Sequence, residues 1–382
     1  MKIKYANCAK RENFTMNKDF YVKDHWSKFP VSWQQVLENG VEGVVYKTWG
    51  KLNSSQLKAT RVICIVLLAF LKSIDHFSSL LQHPNFRKGF AKGVKRKKRH
   101  ELEFMASTCV EMCQNVAVDF IVDFGKYLPP KQAKTSQTPT HVNLCISPTT
   151  APETFLQIIQ KFLKLKKDDY KFGIVGLHSC GDLAVILIQM FLHCEQAKFI
   201  NLVGCCYMKL SAKVTANKTA QGYPLSQYLS QHSLSFLSYE AREISCHAIE
   251  MYKQRLPGNN YDYLKIHSFR AAAERIIAKH YPELKKTHCE NIQFEEAVAG
   301  LPLATIPAEN LLTAITQSYL SRWRQIVIYY TLRLFFGPLI ESIILYDRIL
   351  FLIENGCIVD IKAVFEATIS PRNHIIIAGK RR

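Results

Sequence analysis

The stretch from Phe172 to Tyr207, FGIVGLHSCGDLAVILIQMFLHCEQAKFINLVGCCY, holds two short apolar runs on either side of a longer helical pattern. FGIVGLH and FINLVGCCY are continuous rather than alternating, as expected of strands buried on both faces. Between them, HSCGDLAVILIQMFLHC starts with turn residues and continues as a helix, with Asp182 in a first turn where the helix dipole favours a carboxylate. Strand, helix and strand in this order predict a crossover unit of a mostly parallel sheet.

The same pattern extends outward. Upstream, Leu102, Met105, Cys109, Met112 and Val116 recur at helical spacing, and VDFIVDFG then reads as a buried strand ending at Asp123 and Gly125. ETFLQIIQKFLKLKK predicts the next helix. Downstream, YEAREISCHAIEMYKQRL, YLKIHSFRAAAERIIAKHY and LLTAITQSYLSRWRQIVIYYTLRLFF read as helices, the last stopping at Gly337-Pro338. One more helix follows to Gly356, which suits a C-terminal cap, and His374–Ala378 makes a last strand. At the other end, Trp26, Phe29, Val31, Trp33 and Leu37 form an apolar set, and Val62–Leu71 predicts a buried helix. The basic run Lys95-Arg96-Lys97-Lys98-Arg99 reads as solvated surface or linker, or else as a phosphate or localisation patch. This gives a helical N-terminal region, 1–94, and a second domain, 95–382. The latter comprises an α/β core at 95–210, a helical insertion at 211–356 and a final strand within 357–382. There is no internal repeat, and Lys131–Thr140 is of low complexity.

The chain has 382 residues, with 50 Lys and Arg against 31 Asp and Glu, a net charge of +19. A hydrophobic content of 48% argues against disorder, and the charge favours polyanionic partners, nucleic acid before anionic membrane. The first residues carry charge without an apolar run, so no secretory signal is expected. The greasy stretch after Ile326 is interrupted by Arg333, Glu341, Asp347 and Arg348, which argues against a membrane span. The 12 cysteines include no C-x-x-C pair and are expected as reduced thiols in an intracellular protein, cytoplasmic or nuclear.

In an open α/β sheet, ligands bind outside the carboxyl ends of the strands. Asp123 and Gly125 follow the first strand, His178, Cys180, Gly181 and Asp182 the second, and Cys205, Cys206 and Tyr207 the third. This concentration of titratable groups marks the candidate site. His178, Cys180, Cys205 and Cys206 also have the ligand types of a zinc site. Adjacent Cys205 and Cys206 on a strand would point to opposite faces, however, so no metal is expected.

Several of these motifs carry a resemblance. Gly176-Leu177-His178-Ser179-Cys180-Gly181-Asp182-Leu183-Ala184, then Val203-Gly204-Cys205-Cys206-Tyr207, then Gly222-Tyr223-Pro224-Leu225-Ser226, closely resemble the methyltransferase-like protein 25 family. Asp24-His25-Trp26 through Trp33, Lys97-Lys98-Arg99-His100-Glu101 and Ser370-Pro371-Arg372 match in the same order. A related LH-x-CG and CC pair also marks a tRNA 2′-O-methyltransferase family. The resemblance implies a Rossmann-like class I methyltransferase fold using S-adenosylmethionine, and the charge of +19 together with the related tRNA enzymes makes nucleic acid, RNA first, the preferred acceptor class. The strands ending at His178 and Cys206 would be neighbours, setting His178, Cys180 and Asp182 opposite Cys205, Cys206 and Tyr207 across the substrate and donor cleft. His178 would serve as base and Asp182 would hold an acceptor hydroxyl or amine, these two being the catalytic candidates. Asp123 and Gly125 would meet the amino-acid end of the donor.

The chain departs from the family pattern after its first strand. The glycine-rich D-x-G-S-G-x-G loop is replaced by Asp123-Phe124-Gly125-Lys126-Tyr127-Leu128-Pro129-Pro130, whose prolines do not suit a cofactor-cradling turn into a helix. Only 22 residues separate Gly125 from Pro148, whereas a crossover unit takes roughly 30. At least one crossover is expected to be missing, through a paralogue's loss of the donor site or through a splice or gene-model truncation. The alternative function is accordingly a catalytically silent RNA- or protein-binding scaffold.

Overall fold

The two apolar runs of the opening stretch lie side by side in the sheet, and everything else is placed by reference to them. The computed structural model describes residues 2–4, 19–40, 95–124, 141–143, 146–165, 169–212, 222–233, 235–247, 249, 262–280 and 313–381. The elements begin with β1 (Lys2–Lys4), α1 (Val31–Gly40), α2 (Arg96–Asn115), β2 (Phe120–Asp123), β3 (His141–Asn143) and α3 (Pro152–Leu163). There follow β4 (Phe172–Ser179), α4 (Leu183–His193), β5 (Ala197–Gly204) and two short helices, α5 (Gln227–Ser230) and α6 (Tyr239–Ile244). The rest are α7 (Asp262–His280), α8 (Ala314–Ser321), α9 (Trp323–Glu354), β6 (Cys357–Ala363) and β7 (His374–Lys380).

The sheet order is β3-β1-β2-β4-β5-β7-β6. β1 through β5 are mutually parallel where they pair, and β7 runs antiparallel to both β5 and β6. The architecture is thus the expected Rossmann-like α/β class, with β4 and β5 adjacent. β1 lies between β2 and β3, so the sheet position beside β2 is filled from the start of the chain rather than by a crossover following Asp123.

Side chains alternate along β4 and β5 and feed two apolar layers. Phe172, Ile174, Ile200 and Leu202 join α3 and the largely apolar α4 in one layer, together with Leu345, Ile349 and Leu352 of α9. Val175, Leu177 and Val203 pack on the other side with Met105 and Cys109 of α2. At about 25 cal/mol per Å² of apolar surface, these layers dominate the stability of the sheet.

Contacts divide the chain into two units at other places than the sequence predicts. One holds 1–9, 78–250 and 337–382, and the other 10–77 and 251–336. Within the second, Phe20, Tyr21 and Trp26 pack with Ala271 and Ala272 of α7 and Ile326 and Ile328 of α9. Apolar N-terminal residues therefore share a core with part of the expected insertion. The predicted Val62–Leu71 helix lies outside the described residues.

Two helix expectations change. The basic run is no linker, since α2 begins at Arg96. The expected stop at Gly337-Pro338 is absent because α9 runs through Pro338. Gly337 is there for proximity, as a Cβ on it would lie 2.9 Å from the Ile244 carbonyl oxygen. β6 was not anticipated, because its polar Asp360 and Lys362 interrupt the apolar run.

Candidate functional site at the ends of β4 and β5

The turn after β4 is shaped by two residues in the left-handed region, His178 at φ 62° and Gly181 at φ 55°. Leu177 pairs with Val203 and Ser179 with Gly204, so His178 is the extra residue of a β-bulge. Bulges re-aim side chains beside functional sites. Here the imidazole Nε2 is brought 2.9 Å from Glu101 Oε1 on α2. Ser370 Oγ donates to the same oxygen at 2.8 Å, and Lys97 lies 3.7 Å away. Burial tends to raise the Glu101 pKa, but the hydrogen bonds from His178 and Ser370 and the charges of His178 and Lys97 bring it below the ordinary value.

Gly181 lets this turn pack on the loop after β5, since a Cβ would meet both Cβ and the carbonyl oxygen of Lys209 at 2.7 Å. The contact brings Cys180 to the cysteine pair. Its Sγ lies 3.2 Å from that of Cys205 and 3.4 Å from that of Cys206, and the latter two are 3.5 Å apart. The premise that Cys205 and Cys206 diverge is overturned. β5 ends at Gly204, and the backbone turns at once into a 3-10 segment, Tyr207–Lys209, so strand alternation no longer applies. Hydrogen bonding with the other two thiols lowers the Cys206 pKa below the usual thiol value, with Lys209 and His178 contributing. Cys180 is pushed far up by its bonds to Cys205 and Cys206 and then by burial.

Two expected site residues do other work. Tyr207 does not line a cleft, being 1% exposed with its hydroxyl donating to Glu341 Oε1 at 2.8 Å. Asp182 is at the first turn of α4 but does not cap it. Its Oδ1 instead accepts from the Ser211 N–H at 2.8 Å, and a Cβ on Gly222 would be 2.2 Å from that oxygen. Asp182 therefore ties the turn after β4 to the loop after β5. Asp123 ends β2, with Phe124 N–H continuing the ladder to the Val175 carbonyl at 2.9 Å. Gly125 lies outside the described residues.

Sequence reasoning gave no role to Glu101 and Ser370, or to the buried charges of α9. Glu341 accepts from Tyr207 and pairs with Arg372 at 2.9 Å. Asp347 accepts from the N–H groups of Leu225 and Ser226 at 2.8 and 2.9 Å and from Ser226 Oγ at 2.7 Å. Arg348 lies over the Tyr207 ring, 5.6 Å from its centroid. The signal was present, since charges that interrupt an apolar helix must find partners wherever that helix is buried.

Comparison with known proteins bears on the same residues. Residues 130–213, which include β4, α4 and β5, match a family described as a methyltransferase domain. The chain is 28% identical over 232 residues to "Probable methyltransferase-like protein 25" of Mus musculus, covering 55% of this chain and 37% of that protein. The Homo sapiens protein of that name is 28% identical over 230 residues, with the same coverage. Over about half its length the chain is thus similar to methyltransferase-like protein 25. Its match spans little more than a third of the length of these curated relatives. No solved structure matches it. The His178 bulge and the three thiols stand at the strand ends where this fold class binds its ligands. No described helix is long and apolar enough to cross a membrane.

Proposed function

We propose that this chain is an S-adenosylmethionine-dependent methyltransferase acting on RNA, with His178 as the base that takes the proton from the acceptor hydroxyl or amine. The observation that carries the reading is the His178–Glu101 pair, in which a buried carboxylate fixes an imidazole on a bulge at the carboxyl end of β4. A base must be oriented before its pKa matters, and a carboxylate partner supplies that orientation. The donor, when bound, supplies an electrophilic methyl group. Asp123 at the end of β2 suits its ammonium group.

Support for an RNA acceptor comes from α2. Arg96, Lys97, Lys98 and Arg99 occupy its first turn, with no acidic residue among them. Cations there oppose the helix dipole by about 0.3–1 kcal/mol each, and apart from Lys97, which faces Glu101, helix stability does not explain them. A phosphate backbone reaching the His178 pair does, because Glu101 lies two residues past Arg99 on the same helix.

One observation favours the alternative of a silent scaffold. The strands beyond β2 end in Lys4 and Asn143, and no described strand end there offers a carboxylate for the donor ribose. Calorimetry with S-adenosylmethionine separates the two readings, alongside transfer of labelled methyl groups to RNA. The enzyme reading expects saturable heat and transfer, with His178→Ala lowering transfer about 100-fold while the heat is unchanged. Absence of heat up to millimolar donor overturns it. RNA retention that falls steeply with salt but without transfer supports the scaffold, and retention indifferent to salt removes RNA from both.

A further inference from the structure

Cys180, Cys205 and Cys206 present three sulfur atoms within 3.2–3.5 Å of one another, from two different loops. A single buried cysteine is ordinary core. Thiols are weak donors and weak acceptors, so hydrogen bonding gives little reason for three to meet. A disulfide needs about 2.05 Å and uses two sulfurs, whereas these three form a nearly even triangle. Tetrahedral zinc with Zn–S bonds of about 2.3 Å holds its sulfurs about 3.8 Å apart, so the triangle need open by only a few tenths of an ångström.

We propose that Cys180, Cys205 and Cys206 form a three-thiolate site for a zinc ion whose fourth position is open to water or to the acceptor. Binding breaks three S–H bonds, releases the protons to solvent and forms three Zn–S bonds, with no change of oxidation state. Three thiolates around a divalent ion leave one negative charge. The fold supplies a counter-charge independently of the thiols. Arg348 is 1% exposed, and its Nε and Nη1 have no hydrogen-bond partner among the described residues. It packs against the residue preceding Cys205, for a Cβ on Gly204 would lie 2.5 Å from Nη1. Unsatisfied buried guanidinium nitrogens are costly, and an anionic centre beyond Gly204 gives this one a purpose. His178 is not counted as a ligand, because its Nε2 is committed to Glu101. No other described His, Cys, Asp or Glu joins the three thiols closely enough to close the site, and three protein ligands with an open position is the arrangement of reactive rather than structural zinc.

The proposal does not depend on methyl transfer, and its test reads metal directly. The full chain, purified without chelator and dialysed, should retain about one zinc per molecule by elemental analysis. Cobalt exchanged into it should give a thiolate charge-transfer band and tetrahedral d–d absorption. Cys205→Ser and Cys206→Ser should each weaken zinc binding about tenfold or more, while Cys113→Ser on α2 leaves it unchanged. Should a serine variant fail to fold, the cobalt spectrum of the unaltered chain decides. A folded chain that holds no zinc and gives no thiolate band with cobalt overturns the proposal. So does zinc retained by the Cys205→Ser, Cys206→Ser double variant, or a disulfide between any two of the three cysteines.

Discussion

Cys206 and Tyr207 are neighbours in the chain and belong to opposite kinds of structure. Cys206 joins the partly buried thiol cluster at the end of β5, whereas Tyr207 turns inward to Glu341 and is sealed beneath Arg348. The same split runs through the other motif residues. His178 and Cys180 form the open side, with the buried Glu101 behind the imidazole, while Leu225 and Ser226 fasten their loop onto Asp347 of α9. A contiguous motif thus encodes a reactive edge and the anchor that holds it, and only the edge bears on chemistry.

The anchor side should break hardest. Asp347→Ala removes an acceptor of three hydrogen bonds and strands the buried Ser226 hydroxyl and N–H. Breaking a buried charged network by removing one partner costs about 3–5 kcal/mol. Denaturant unfolding should show a loss of that size, and Asp347→Asn, which keeps an acceptor, should lose clearly less. A loss below about 1 kcal/mol in the alanine variant would mean that the loop is held by something other than Asp347.

The joint between edge and anchor comes next. Gly181→Ala places a Cβ against the Lys209 backbone and forces an alanine into the left-handed region, for an expected cost of about 2–3 kcal/mol. Because this contact brings Cys180 to Cys205 and Cys206, zinc affinity should fall with stability. Wild-type stability in this variant would show that the two loops can separate without penalty.

How much of this was legible depended on the range of the signal. β2, β4, α4 and β5 were readable because a buried strand and a buried helix announce themselves within ten residues. The thiol cluster was half readable. The cysteines were visible at strand ends, but their convergence depends on β5 stopping at Gly204 and on Gly181 admitting Lys209, and neither is a local property of the sequence. Glu101 was out of reach for another reason. It lies 77 positions from His178 within a basic run that reads as surface, and only the packing of α2 on the sheet joins them. The charges of α9 were noticed as obstacles to a membrane span, yet Tyr207 and Leu225, which donate to Glu341 and Asp347, lie more than a hundred residues away.

On the open side the effects shrink, and pH distinguishes them. The Glu101 carboxyl has its pKa lowered in the folded state, against about 4.3 when unfolded. Its contribution is therefore complete above the unfolded value and is lost as pH falls through the folded one. Glu101→Gln should cost about 1 kcal/mol near neutrality and flatten the acid-side decline of unfolding free energy. An unchanged acid limb would detach Glu101 from the stability of the edge and leave it only an orienting role.

The smallest expected effect belongs to Asp182, and it tests whether this residue is edge or anchor. Its carboxylate accepts the Ser211 N–H and faces Gly222 at close range, an arrangement in which Oδ1 acts as a fixed acceptor rather than as a charge presented to a ligand. Asparagine offers the same oxygen. Asp182→Asn should then change stability by less than about 1 kcal/mol and leave the Ser211 amide protected from hydrogen exchange. Asp182→Ala removes the oxygen and should cost about 1.5–3 kcal/mol, with the Ser211 amide exchanging readily. Equal behaviour of the two variants would break this assignment. If both are harmless, the loop needs no tie at Asp182. If both are equally damaging, the negative charge itself is required, and Asp182 returns to the reactive side with His178.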